Sequence, residues 1–259
     1  MRAIAVHEDV VVAIGAIWKT TCTAVRAEDE AFLIDSPILP DELEALPALL
    51  EQAGFPISGL LVTHADWDHL LGRYAFPQAS IGCGETTAAR LAAEPGTAQR
   101  ELREFDEQYL IDRPSPLSLP GVQALPVPGY CSLGAAELEL HPADGHTSDG
   151  TAVWIPWARV LVCGDYLSPD AIPELSPSSS LDGYLATLRR LEPLVEQAGT
   201  IVPGHGEPLD AVRAAAILRE DVAYLEALQR EGVSAPLPLA RRNGGNRKLH
   251  DYNVSLLGG

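Results

Sequence analysis

Residues 60–72, LLVTHADWDHLLG, constrain this chain more than any other stretch. Apolar and β-branched residues run directly into His64, Asp66, Asp68 and His69, four side chains of metal-ligand type within six positions. Such side chains are seldom buried together without partners, so a packing role for all four is hard to find. A strand that ends in this cluster calls for a fold in which further strand ends reach the same place.

The chain is long enough to build one. Its 259 residues, 46 % of them hydrophobic, support one large α/β domain or two small ones. The net charge of −18 is spread along the chain and repels phosphate backbones and anionic lipid, so neither nucleic acid nor a membrane surface is the expected partner. A small molecule is, and the oligomeric state stays open. Cys22, Cys83, Cys131 and Cys163 show no CxxC spacing and read as free thiols in a reducing cytoplasm. No run of about 18 apolar residues is present, and His7, Glu8 and Asp9 interrupt the apolar N-terminal stretch where a signal peptide needs continuity. The sequence therefore points to a cytoplasmic protein.

Short runs rich in Val, Ile and Phe at 4–6, 10–18, 22–25 and 31–34 predict a meander of antiparallel strands. Residues 41–53 predict a helix with Leu43, Leu46, Leu49 and Leu50 as its apolar stripe and Pro47 as an internal cost. The strand at 57–63 that follows implies a crossover and a parallel or mixed sheet. Strands are expected at 79–83, 136–140, 152–155, 160–163 and 200–202, and helices at 85–93, 182–196 and 209–229. The charged segment 94–113 suggests an exposed helix or lid. The segment 114–130, with five prolines, reads as an irregular connector with one short strand at most, and 169–180 as a flexible loop.

Four places share one layout, a short apolar strand ending in a turn that presents His or Asp. They are Thr63-His64-x-Asp66-x-Asp68-His69, Gly145-His146-Thr147, Gly164-Asp165 and Pro203-Gly204-His205-Gly206. Strand ends hold ligands rigidly while their loops leave room for substrate. Imidazole with carboxylate suits zinc, and also iron or manganese.

THADWDH resembles the THxHxDH motif of the metallo-β-lactamase superfamily of hydrolases, and GHT, GD and PGHG match its later motifs in the right order over about residues 10–210. The resemblance implies an α/β fold, an αββα sandwich of two mixed sheets flanked by helices, with a dinuclear metal site at one edge. Residues 1–230 would form this domain, and residues 231–259 a tail packed on or near it. By the resemblance, His64 and His146 bind a first divalent metal, Asp68, His69 and His205 a second, and Asp165 bridges them. Asp66 departs from the motif, which has histidine there. It is carried as a ligand of the first metal, with a weak or empty metal position and a non-metal role left open. Zinc is the first choice for both ions, and the Asp66 carboxylate makes iron or manganese more competitive.

The function implied is metal-assisted hydrolysis of a small ester, lactone or thioester, with Asp68 and Asp165 as catalytic residues. A β-lactam is less favoured. An iron-dependent redox enzyme resembling the persulfide dioxygenases is the alternative. A non-catalytic binding module fits poorly, because only one ligand position departs. Tyr166 is a candidate oxyanion donor or a packing residue, and Asp35 a candidate to orient a ligand histidine. His250 is a candidate pocket residue, whereas His7 and His141 lack such company. The cluster Arg241, Arg242, Arg247 and Lys248 reads as a solvated tail or as a steering patch for an anionic group.

Overall fold

A computed structural model describes residues 1–257. The first half of the chain forms a seven-stranded sheet in sequence order: β1 (Arg2–His7), β2 (Val10–Ile14), β3 (Thr21–Ala27), β4 (Glu30–Ile34), β5 (Ile57–Val62), β6 (Ser80–Gly84) and β7 (Gln123–Leu125). The β1–β4 meander is antiparallel, and β4 to β7 run parallel. The crossovers carry α1 (Pro40–Gln52), the single turn α2 (Gly72–Ala75), α3 (Glu85–Ala93) and α4 (Thr97–Tyr109). The second sheet orders β12-β11-β10-β9-β8, from β8 (Gly129–Leu133), β9 (Ala136–Pro142), β10 (Thr151–Ile155), β11 (Val160–Val162) and β12 (Thr200–Val202). Long helices α5 (Leu181–Gln197) and α6 (Ala211–Glu231) and the C-terminal α7 (Gly244–Leu257) follow.

The period of two along the strands explains the layering. Val10, Val12 and Ile14 of β2 face the second sheet, where they meet Leu138, Leu140, Val153 and Val162. Val11 and Ala13 point the other way, into a core with Leu43, Leu46 and Leu50 of α1 and Leu102 and Phe105 of α4. A third core fills the space between the second sheet and α5, α6 and α7, around Leu188, Leu191, Ile217 and Leu225. Two sheets face to face with helices outside each form the αββα sandwich expected from the sequence. In α1 the buried leucines override the local cost of Pro47, and Asp41 and Glu42 in the first turn suit the positive helix end.

Several segments differ from the sequence expectation. β2 stops at Ile14, because Trp18 and Lys19 both take φ near 50° and turn the chain back. The charged segment is a helix, α4, but Ala98, Leu102 and Phe105 bury one face. The proline-rich connector holds β7 and the start of β8 rather than one strand at most. The C-terminal stretch contains a 14-residue helix, α7, whose buried stripe is polar: Asn246, His250 and Asn253. Asn246 and Asn253 accept from the backbone N–H groups of Ile172 (3.2 Å) and Leu175 (3.0 Å), and so pin the segment that precedes α5. Among the described residues no helix is long and apolar enough to cross a membrane.

Candidate metal centre

The strand ends of both sheets meet at one edge of the sandwich. At the end of β5, the Thr63 backbone N–H and hydroxyl both donate to Asp35, at 2.9 and 2.8 Å. Asp35 itself closes β4 with a left-handed φ of 59°, a conformation uncommon outside glycine. The chain then turns through a short 3-10 segment, Trp67–His69, which brings Asp68 and His69 back beside His64. His146 lies in the loop after β9, Asp165 just beyond β11, and His205 just beyond β12. Gly204 sits where these loops close on each other. A Cβ there would collide with Asp165 Oδ1 and approach His69 Cε1 to 3.1 Å.

All seven ligand candidates converge. His64, Asp66 and His146 form one group, with Asp66 Oδ2 at 3.6 Å from His64 Nε2 and 3.5 Å from His146 Nε2. Asp68, His69 and His205 form a second, with Asp68 Oδ2 at 3.7 and 3.3 Å from the two Nε2 atoms. Asp165 lies between them: Oδ1 is 3.2 Å from His69 Nε2, and Oδ2 is 3.3 Å from His205, 3.7 Å from His146 and 3.9 Å from His64. Two donors each ~2.0–2.1 Å from a tetrahedral ion stand about 3.3 Å apart, so both groups have the spacing of a ligand set.

The outer ring nitrogens of three histidines explain why their Nε2 atoms face inward. His146 Nδ1 donates to the Glu174 carbonyl at 2.8 Å. The Thr63 hydroxyl gives its proton to Asp35 and therefore accepts from His64 Nδ1 at 3.0 Å. The Thr20 hydroxyl donates to the Ile17 carbonyl and accepts from His205 Nδ1 at 3.2 Å. His69 Nδ1 lies 3.0 Å from Asp35 Oδ2. The first three partners place the proton on Nδ1 and leave the Nε2 lone pair for a cation, whereas His69 Nδ1 stands within ion-pair range of Asp35 without a hydrogen bond. His64 Nε2, His69 Nε2 and Asp165 Oδ1 are buried and have no hydrogen-bond partner. Buried polar atoms aimed at one another in this way fit a metal, the group that satisfies them without a proton.

Electrostatics agree. Burial opposes charge on His69, yet Asp68, Asp165 and Asp35 carry it well above the usual imidazole range. Against the same burial, Asp66 and Asp165 raise His146 to about 9, and Asp165 and Asp68 raise His205 to about 10. Burial disfavours the charged carboxylates too, but the surrounding imidazoles hold Asp66 and Asp165 well below the usual carboxylate range. The site favours positive charge at its centre, and a divalent cation supplies it in place of protons.

Other candidates fall elsewhere. The Tyr166 hydroxyl is buried, accepts from the His146 backbone N–H at 2.7 Å and donates to the Ala143 carbonyl at 2.9 Å, so it supports the His146 loop and is not free as an oxyanion donor. His250 bonds to the Tyr224 hydroxyl and the Val233 carbonyl within the helical layer, away from the cleft. His7 and His141 stand outside the ligand groups, beside Asp9 and Glu139. The basic cluster divides: Arg241 is buried and paired with Asp221 at 2.6 Å, whereas Arg242 donates to the Leu237 carbonyl. It is neither a solvated tail nor a steering patch as a unit. The four cysteines are free thiols.

Sequence reasoning misses Arg90. Its guanidinium lies 2.8 Å from Asp66 Oδ1 and 2.8 Å from Asp149 Oδ1. Asp149 in turn accepts the Ala65 backbone N–H at 2.9 Å. One basic residue in the helix ETTAARLAA carries no sequence signal of this role. Over the ligand groups opens a cleft of about 650 Å³, walled by Trp18, Trp67, Ile172, Leu175 and Tyr252, with Glu101 at its rim.

Comparison with known proteins agrees with this geometry. Residues 17–205 match the family model of the metallo-beta-lactamase superfamily. The chain is 23 % identical over 192 residues to a metallo-beta-lactamase type 2 of Pseudomonas aeruginosa, covering 72 % of this chain and 68 % of that protein. It is 27 % identical over 168 residues to a hydroxyacylglutathione hydrolase of Rhodospirillum rubrum, covering 64 % of this chain and about half (53 %) of the relative. A metallo-beta-lactamase family protein from Thermus thermophilus superposes with a TM-score of 0.66 at 22 % identity, covering 90 % of this chain and 85 % of that one. The ordered His and Asp motifs, the two-sheet sandwich and the family match over residues 17–205 together make this chain a metallo-hydrolase of the metallo-β-lactamase superfamily.

Proposed function

We propose that this chain hydrolyses a small uncharged ester, lactone or thioester at a centre of two divalent metal ions, zinc being the first choice. His64, Asp66 and His146 would hold one ion, Asp68, His69 and His205 the other, and Asp165 both. The observation that carries this reading is the pair of three-residue donor groups on either side of Asp165, with the Nε2 atoms of His64, His146 and His205 turned inward by hydrogen-bond partners at Nδ1 and His69 Nδ1 beside the Asp35 carboxylate. Cations bound there lower the pKa of water toward 7 and polarise a carbonyl oxygen.

The chain's own residues do the rest. Asp68 orients the attacking water and accepts its proton. The water oxygen adds to the carbonyl carbon, the acyl–oxygen or acyl–sulfur bond breaks, and the leaving group departs with a proton as alcohol or thiol. Trp18, Trp67 and Leu175 offer apolar wall for the acyl portion and keep bulk water from it. Apart from the candidate ligand histidines, Arg90 is the one cationic side chain among the described residues lining the cleft, and it is already held by Asp66 and Asp149. That supports an uncharged substrate over one anchored through a carboxylate or sulfate.

The test is turnover of an ester, lactone and thioester panel by metal-loaded protein. His205→Ala and Asp165→Ala should each lower kcat/KM by at least about a hundredfold, the upper end of what ligand-supporting changes cost. Unchanged turnover in both would end the reading. Asp66 favours a second reading, because an added carboxylate makes iron or manganese more competitive. Iron in protein as isolated, with oxygen uptake and no ester turnover, would select an iron-dependent redox enzyme.

A further inference from the structure

Asp66 is the member of the ligand set whose carboxylate is divided between two tasks. Oδ2 faces the Nε2 atoms of His64 and His146, while Oδ1 is held by the Arg90 guanidinium at 2.8 Å. The other arm of the same guanidinium is fixed at 2.8 Å by Asp149 Oδ1, and the second oxygen of Asp149 accepts the Ala65 N–H, one residue before Asp66. Arg90 is largely buried, at 17 % side-chain exposure, and Asp149 almost wholly, at 1 %. A planar guanidinium with both arms engaged has little freedom to turn.

We propose that Arg90 is a positioning residue for the metal held by His64, Asp66 and His146: it turns Asp66 into a one-oxygen ligand and offsets the charge of the third carboxylate in the site. The proposal rests on the two-metal reading above. Asp68 and Asp165 place two negative charges beside the ligand histidines, and Asp66 adds a third. Three carboxylates leave a bound cation a weaker Lewis acid than two do, and one guanidinium on the third restores that balance. The same contact takes Oδ1 out of competition, so Asp66 cannot clamp an ion with both oxygens or swing away from it. No corresponding cation touches the group of Asp68, His69 and His205 among the described residues. The effect of Arg90 is therefore confined to one of the two positions.

The experiment is zinc titration of the metal-free full chain against a competing chromophoric chelator, which reads two binding steps and needs no substrate. His146→Ala and His205→Ala identify which step belongs to which group. Arg90→Met keeps most of the side-chain volume. Loss of its charge favours a cation, while release of Asp66 disfavours it. With positioning the larger effect, the step lost in His146→Ala should weaken by about 10- to 100-fold, leaving the other within about threefold, whereas a tighter step would overturn the proposal. Arg90→Lys keeps one charged donor for Asp66 Oδ1 without the two-armed geometry, and by that donor should recover part of the loss. Asp149→Asn has one acceptor oxygen in place of two, so it loosens either the second Arg90 arm or the Ala65 N–H and should weaken the same step by less than Arg90→Met does, leaving the other within about threefold. Two unchanged steps in Arg90→Met, or a loss confined to the His205 step, would overturn the proposal. So would an Asp149→Asn loss as large as that of Arg90→Met, since the bridge would then act on the loop alone. If Arg90→Met fails to fold, Arg90→Lys and Asp149→Asn decide by the same criteria. Wild-type protein that bound no zinc would overturn the two-metal reading together with this proposal. Two wild-type steps with an indifferent Arg90 would overturn this proposal alone.

Discussion

Asp35 Oδ2 lies 3.0 Å from His69 Nδ1, and the same oxygen accepts the Thr63 hydroxyl that orients His64. One carboxylate thus stands beside the outer ring nitrogen of His69 and, through the Thr63 hydroxyl, that of His64, one histidine from each candidate group. Asp35→Asn removes the acceptor charge and should lower metal affinity at both binding steps by about 10- to 100-fold. Chelator competition measures this, and a loss at only one step would show that the two histidines are oriented independently.

Gly204→Ala tests how tightly the loops close. The new Cβ meets Asp165 Oδ1 and His69 Cε1, one ligand from each side of the closure. Asp165 must move, so the variant should fold and yet lose turnover by about a hundredfold or more. Circular dichroism and kcat/KM together check it. Normal turnover would mean that Asp165 can shift and still serve both metal groups.

Arg241→Met should be costly for a different reason. Arg241 is fully buried and paired with Asp221, and also donates to the carbonyls of Ser168 and Ala171 on the cleft wall. Burial, only partly countered by Arg241, already raises the Asp221 carboxyl to about 7. Removing the guanidinium leaves Asp221 buried without a partner, a loss of about 3–5 kcal/mol by denaturant unfolding. A change below about 1 kcal/mol would place the pair among the exposed kind.

The response to pH has a definite sign. His146 and His205 stand at about 9 and about 10 in the metal-free fold, against about 6.5 for free imidazole. Raised folded values stabilise the protonated fold. Their contribution is complete below about pH 6.5 and disappears as pH rises through 9 to 10. Metal-free protein should therefore lose thermal stability over that window. A cation must displace the same protons, so zinc affinity rises across it and the gap in Tm between zinc-loaded and metal-free protein widens. Melting curves from pH 6 to 10 with and without zinc check this, and a constant gap would contradict it.

Much of the candidate ligand set was legible because its chemistry is concentrated. His64, Asp66, Asp68 and His69 follow an apolar strand within a few positions, and His146, Asp165 and His205 each follow another. The sandwich followed from the resemblance; the strand–helix order was compatible with it and did not establish it. Arg90 was not legible: its partners Asp66 and Asp149 are distant in sequence and meet it only when α3, packed on β6 and β7, brings it to the loop that follows β5. The helix α7 escaped for a related reason. Its buried stripe, Asn246, His250 and Asn253, has helical spacing, but it is polar and satisfies backbone groups of the cleft wall instead of filling an apolar core. Hydrophobic periodicity cannot detect such a face. Tyr166 misled because its neighbour Asp165 faces the centre, whereas its own hydroxyl serves the backbone of His146.

Anomalous diffraction from crystals of zinc-loaded protein, recorded on both sides of the zinc edge, tests the central claim most directly. Two peaks are expected, one among His64, Asp66 and His146 and one among Asp68, His69 and His205, with Asp165 touching both and Asp66 bound through the oxygen that Arg90 leaves free. A single peak, or two peaks with Asp66 turned away from either, would contradict it.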